Sequence, residues 1–111
     1  MDQARTASLE ALLPVDVNEG YSNLVLDKTI RRFSLTGRDA SFASTLFYGV
    51  LERRLTLDYA VSRFSKLRLS ALSPKVLEIL RLGAYQILFL DRVPDSAAVN
   101  ERVELAKRQG E

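Results

Sequence analysis

The stretch LRLGAYQILFLDRVP, residues 80–94, constrains this chain more than any other. Between Leu82 and Leu90 only Gln86 is strongly polar. A membrane span needs roughly 20 apolar residues. This run is shorter, and Arg81, Asp91 and Arg92 bracket it with charge. It reads instead as a helix buried on most sides. Gly83 lies inside it and costs about 1 kcal/mol relative to Ala in a helix interior. The expected compensation is close approach by another helix at Gly83, and Gly49 in FYGVL presents the same case.

Helical spacing organises the rest of the chain. MDQARTASLEALL repeats Ala4, Ala7, Leu9, Ala11 and Leu12 at helical steps until Pro14 ends the segment. After the connector PVDVNEG, Ser22 or Asn23 can cap a helix with Leu24, Leu26, Ile30 and Phe33 on its apolar face. SLTGRD is a turn in which Gly37 supplies backbone freedom. From Asp39, residues Phe42, Ala43, Leu46, Phe47, Val50 and Leu51 recur at steps of three and four. The pattern continues, with room for a break, through Leu57, Ala60, Val61 and Phe64.

SKLRLSAL has no helical register, whereas LSPKVLEIL carries the clearest start signal in the chain. Ser73 is placed to cap, Pro74 takes the first helical position, and Leu72 can staple onto Leu77. This helix is expected to run on to Val93-Pro94. A last helix, SAAVNERVELAKRQG, would end at Gly110 with Lys107 and Arg108 in its final turn. Nothing alternates with period two, so the fold class is all-α with five or six helices.

The 111 residues suit one domain, and a hydrophobic fraction of 47% with 27% charged residues is globular composition. No N-terminal stretch pairs a basic start with an apolar core, so no signal peptide is read. With no Cys and no His, the usual zinc sites, Ser-His-Asp triads and thiol nucleophiles cannot be assembled. No glycine-rich phosphate loop occurs either. The expectation is no catalytic residue, no metal and no cofactor in this chain, and a cytoplasmic location. Net charge is only +2, yet Arg outnumbers Lys twelve to four. Arg is the better bidentate partner for phosphate. Between Arg53 and Arg81, seven basic residues face only Asp58 and Glu78, which is either a phosphate-seeking surface or an ordinary solvated one.

The segments FASTLFYGVLERRLTLDYAVSRF and LSPKVLEILRLGAYQILFLDRVPDSAAVNERVELAKRQG resemble the NusB-like family. With GYSNLVLDK they are most similar to the N-terminal domain of bacterial 16S rRNA cytosine-5 methyltransferases of the RsmB type. The resemblance implies a compact helical fold of two small antiparallel bundles, here a single domain over 1–111. It also implies association with RNA, 16S rRNA in the methyltransferase case, as a non-catalytic appendage. The S-adenosylmethionine site and the cysteine nucleophile would lie further along a longer chain. Family members continue past AKRQG into another helix, so the final family helix is expected to be absent here. Apolar parts of 76–90 and 97–106 would then be uncovered and favour a homodimer of the fragment.

Candidate RNA contacts follow. Arg53 and Arg54 either meet phosphate or pair with Glu52 or Asp58. Arg63, Lys66 and Arg68 flank an irregular segment where side chains can converge on a nucleic-acid backbone. The free-standing factor of the family has an Arg-rich first helix, and here that helix offers Arg5 alone. Tyr21, in a connector, is the stacking candidate, while Tyr48, Tyr59 and Tyr85 are expected in the core with a hydroxyl at its edge. Arg81 is expected half-buried against Glu78 or Glu101. Asn100 and Glu101 match the family's Asn-Glu and are expected to tie their helix to a neighbour. Two rival readings stay open: a free-standing antitermination factor, and a module that docks on its own catalytic domain or dimerises without touching RNA.

Overall fold

In a computed structural model, the structure describes residues 2–15 and 20–90. Among these residues there are five α-helices and no strand: α1 (Gln3–Leu12), α2 (Ser22–Arg32), α3 (Gly37–Glu52), α4 (Arg54–Phe64) and α5 (Pro74–Tyr85). A short 3₁₀ turn (Leu69–Ala71) precedes α5, and a π-helical turn (Gln86–Leu90) follows it. The chain divides into two compact units, Met1–Glu52 and Arg53–Glu111. The break between α3 and α4 falls at Arg53, whose ψ of 23° leaves the helical range.

In the first unit, α1 packs chiefly on α3 and also on α2. Its start is capped by Asp2, whose carboxylate accepts the Arg5 backbone N–H at 2.8 Å. That hydrogen bond, outweighing the small cost of desolvation, holds the Asp2 carboxyl below its usual range. The face of α1 turned inward is built of small side chains: Ala4, Ala7, Ser8 and Ala11 are buried together with Leu9 and Leu12. The buried Ser8 hydroxyl is satisfied by donating to the Arg5 carbonyl at 2.9 Å. On α3, Ala43, Leu46, Phe47 and Val50 are wholly buried, at the steps of three and four read from the sequence.

Helix α2 differs from its expected face. Leu26 is buried, but Leu24 is 58% exposed, because two residues along a helix rotate a side chain by about 200°. Thr29 is buried instead and donates its hydroxyl to the Val25 carbonyl at 2.8 Å. Neither Ser22 nor Asn23 caps α2. The cap position belongs to Tyr21, with no side-chain bond, and its carbonyl accepts from Leu24 and Val25. At the other end Leu35 N–H reaches the Ile30 carbonyl and Ser34 N–H the Arg31 carbonyl, a Schellman closure. Its left-handed position is held by Ser34 at φ +54°, where glycine is the usual residue. Gly37, at φ +54°, serves the turn as the sequence indicates.

In the second unit, α4 packs on α5. Ser73 caps α5 by accepting the Val76 N–H at 3.2 Å, and Pro74 opens the helix, as read from LSPKVLEIL. Leu57 and Val61 of α4 and Leu82, Ala84 and Tyr85 of α5 are buried. The α-helical geometry gives way after Tyr85 to the π turn, which runs to Leu90, and the expected end at Val93-Pro94 lies outside the described residues. The Gln86 side-chain amide donates to the Leu82 carbonyl at 3.1 Å while the Gln86 backbone N–H also turns back on Leu82 and Gly83. The ladder widens into the π turn at this point. Among the described residues nothing approaches Gly83 closely: a Cβ placed there meets none of their atoms within 4 Å. The helix predicted over residues 96–110 lies outside the described residues.

Three substitutions test these local assignments by urea denaturation. Ser34→Gly should stabilise the chain by about 1 kcal/mol, by relieving the left-handed backbone. Gly83→Ala should stabilise by up to about 1 kcal/mol, since the helix gains and none of the described residues is displaced. Asp2→Ala should cost about 1 kcal/mol at neutral pH. Because the Asp2 pKa is lowered on folding, its contribution is complete above the unfolded value of 3.8 and disappears as pH falls through the folded value. The wild type and Asp2→Ala should therefore converge in strong acid.

Candidate nucleic-acid interface

Four charged side chains join α4 to α5 from inside the second unit. Arg54 and Asp58 share one face of α4 by their i,i+4 spacing, and Glu78 and Arg81 share one face of α5 by i,i+3. Arg81 forks onto Asp58, Nε to Oδ1 at 2.6 Å and Nη2 to Oδ2 at 2.9 Å. Its remaining Nη1 donates to Glu78 Oε1, which also accepts from Arg54 Nη2 at 3.1 Å. Glu78 is only 4% exposed. Burial works against the Arg81 charge, but hydrogen bonds and Coulomb attraction from Asp58 and Glu78 outweigh it and raise the Arg81 pKa. Among the described residues, two buried atoms, Arg54 Nε and Glu78 Oε2, have no hydrogen-bond partner.

This network sorts the cations of the unit. Arg81 pairs with Glu78 and, beyond the expected partners, with Asp58; Glu101 lies outside the described residues, as does Asn100. Arg54 does not stand with the surface cations, because Glu78 draws it inward and its side chain is 26% exposed. Neither Glu52 nor Asp58 is its partner. Arg53, Arg63, Lys66 and Arg68 are all exposed. Among the described residues none of these four has a carboxylate partner.

Aromatic rings hold two of the four. The Arg53 guanidinium lies 4.1 Å from the centroid of the Phe89 ring, and Phe89 stacks on Tyr85 at 5.6 Å. Arg63 donates to the Tyr59 hydroxyl at 3.0 Å and lies 5.8 Å from that ring. Lys66 sits in a turn that Ser65 closes by both accepting from the Leu67 N–H and donating to the Leu67 carbonyl. A planar guanidinium held by a ring has lost part of its rotamer freedom in advance, and its N–H fork remains available.

Two predicted contacts fall in the first unit. Arg5 is bound to the Asp2 carboxylate and lies 5.0 Å from the Phe42 ring centroid. Tyr21 is 61% exposed at the entrance of α2.

Tyr59 departs from the core assignment at 64% exposed and Tyr48 at 36%, while Tyr85 is buried. Phe89, the partner of Arg53, is a second residue that the sequence does not single out. For Tyr59 the signal was present in the helical period: Leu57 and Val61 point inward, so positions 55 and 59 point away. For Phe89 no sequence signal exists, since it meets Arg53 only through the packing of the unit.

The chain matches the NusB family over residues 2–111. It belongs to the NusB family. Over 106 residues it is 37% identical to the probable ribosomal RNA small subunit methyltransferase B of Bacillus subtilis, covering 96% of this chain and 24% of that protein. The ribosomal RNA small subunit methyltransferase B of Thermus thermophilus is 39% identical over 95% of this chain and 25% of its own length. The transcription antitermination protein NusB of Bacillus licheniformis is 34% identical over 97% of this chain and 81% of its own length. The chain thus spans about a quarter of the methyltransferases that it matches. No solved structure gives a significant match. No helix among the described residues is long and apolar enough to cross a membrane.

Removing one member of the interior network should be severe. Arg81→Met leaves Glu78 buried with one partner fewer, at a cost of about 3 kcal/mol. That is the low end for breaking a buried pair, because the Asp58 and Arg54 side chains keep 26% exposure. Thermal and urea unfolding would measure it, and Arg53→Ala should change stability by less than about 1 kcal/mol in the same assay.

Proposed function

We propose that this chain is a non-catalytic RNA-binding domain, the N-terminal rRNA-engaging part of a 16S rRNA cytosine-5 methyltransferase acting in the cytoplasm. The observation that carries the proposal is the set of exposed cations Arg53, Arg63, Lys66 and Arg68, which have no carboxylate partner among the described residues, whereas Arg54 and Arg81 are paired internally. Such cations neutralise phosphates and position a nucleic acid without reading its sequence. Arg5 and Tyr21 of the first unit are secondary candidates. Residues that perform methyl transfer would belong to another part of a longer protein, and the domain would dock beside that catalytic part.

A second reading is supported by the antitermination relative, whose length this chain nearly fills. There the domain would act free-standing on a transcript. Pairing with a second copy of this chain through apolar surface on α5 is a further proposal, supported by the exposure of Val76 and Ile79.

Fluorescence anisotropy with a 16S rRNA hairpin, across a salt series, tests the main reading. Affinity should fall steeply with salt as counterions are released. Replacing Arg63, Lys66 and Arg68 together by Ala should flatten the log–log salt slope by about 1 for each phosphate that is no longer neutralised. Arg54→Ala should act through stability and leave the slope unchanged. Absence of binding at low salt would exclude the reading, and light scattering would then address self-association.

A further inference from the structure

We propose that Phe89 is a positioning residue for RNA binding: from the π turn it holds the Arg53 guanidinium on its ring, so that Arg53 meets a phosphate already oriented. The inference rests on the RNA-binding reading and adds a residue that acts on RNA only through another. Arg53 lies 4.1 Å from the centroid of the Phe89 ring, the shortest of the four cation–π contacts among the described residues; the others lie at 5.0, 5.5 and 5.8 Å. A distance that short sets the guanidinium on the face of the ring.

The ring is itself carried by the core. Phe89 stacks on Tyr85 with 27° between the planes, and Tyr85 is buried. Tyr85 ends α5, and Phe89 sits in the π turn Gln86–Leu90 that follows. An i→i+5 ladder fits an extra residue into the turn, which changes the direction in which Phe89 leaves the axis relative to Tyr85. Such turns are rare and recur at functional sites. This one brings an aromatic face to Arg53.

The other end of the Arg53 side chain is fixed as well. Arg53 occupies the cap position of α4, and its carbonyl accepts the Leu57 N–H at 2.9 Å. With backbone and guanidinium both held, little rotamer freedom is left to lose when a phosphate arrives. The N–H donors lie in the guanidinium plane, so contact through its face leaves the edge open. Among the described residues no carboxylate occupies that edge.

The test is a double-mutant cycle read by fluorescence anisotropy with a 16S rRNA hairpin across a salt series. It compares wild type, Arg53→Ala, Phe89→Leu, Phe89→Tyr and the combined Arg53→Ala, Phe89→Leu variant, with circular dichroism checking that each is folded. Arg53→Ala should flatten the log–log salt slope by about 1. Phe89→Leu keeps apolar volume but removes the ring face. It should weaken binding about 2- to 5-fold, the range of an exposed cation–π contact. The salt slope should stay unchanged, because the Arg53 charge is still present. Phe89→Tyr should bind like wild type, since the ring remains, and in the Arg53→Ala background Phe89→Leu should cause no further loss. Without RNA, NMR should show ring-current shifts on the Arg53 side-chain protons that disappear in Phe89→Leu.

An equal loss from Phe89→Leu with and without Arg53 would overturn the proposal, because the ring would then act through the fold or by its own contact. A Phe89→Tyr loss as large as that of Phe89→Leu would do the same. Unchanged binding by Phe89→Leu also defeats it, and tighter binding would show instead that the ring withholds Arg53 from RNA. Arg53→Ala indistinguishable from wild type would remove Arg53 from the interface, ending the proposal while salt-dependent RNA binding stands. If wild type binds no RNA at low salt, the RNA-binding reading falls and this inference falls with it, even with the ring-current shifts intact.

Discussion

Arg81 meets Asp58 through a two-pronged hydrogen bond and Glu78 through its third donor, and the second unit depends on that contact. Guanidinium and carboxylate are both planar, so the fork fixes direction as well as distance. Hydrophobic packing between α4 and α5 would tolerate some sliding; a fork tolerates little. The spacing of Arg54 with Asp58 and of Glu78 with Arg81 places each pair on one helix face, so register between the helices follows from four side chains. Desolvating these charges is costly, and among the described residues two of their polar atoms are left without partners. The existence of the network is therefore weak evidence of net stability, although breaking it by removing one partner is costly.

The same contact shapes the surface. Arg53 and Arg54 are neighbours in sequence, yet one is stacked on Phe89 outside and the other is bound to Glu78 within. Internal pairing consumes both acids of the region, Asp58 and Glu78, so among the described residues the remaining cations have no carboxylate partner. A modest net charge of +2 thereby becomes a local excess of positive charge along α4 and the turn after it. The first unit is built differently, on a small-residue face of α1 against α3, and its ion pairs sit at the surface, as between Arg32 and Glu10.

Much of this was legible in the residues. The all-helical class, the break near Arg53, the Ser73-Pro74 start of α5 and the inward positions of α1 and α3 followed from spacing and capping chemistry. Other features were not. Gly83 looked like a site of close approach because glycine is costly in a helix, but none of the described residues comes close to it. The change from α to π geometry at Gln86 could not be foreseen because residues 82–90 are almost uniformly apolar, and such a run carries no period that could reveal it. Ser34 in a left-handed position breaks the preference for glycine at a helix end, so composition could not announce it.

Local chemistry needs only neighbours within a turn or two, and for that reason the sequence alone determined the Ser73-Pro74 start of α5 and the apolar faces of α1 and α3. Family membership, too, lies in the sequence, since it is carried by residue order across residues 2–111. Which arginines are free was decided only by the tertiary structure. Arg54 and Arg81 find their partners 24 and 23 residues away, and Arg53 meets Phe89 across a longer span still. A charge in the sequence has no address until a distant carboxylate either reaches it or leaves it to the solvent.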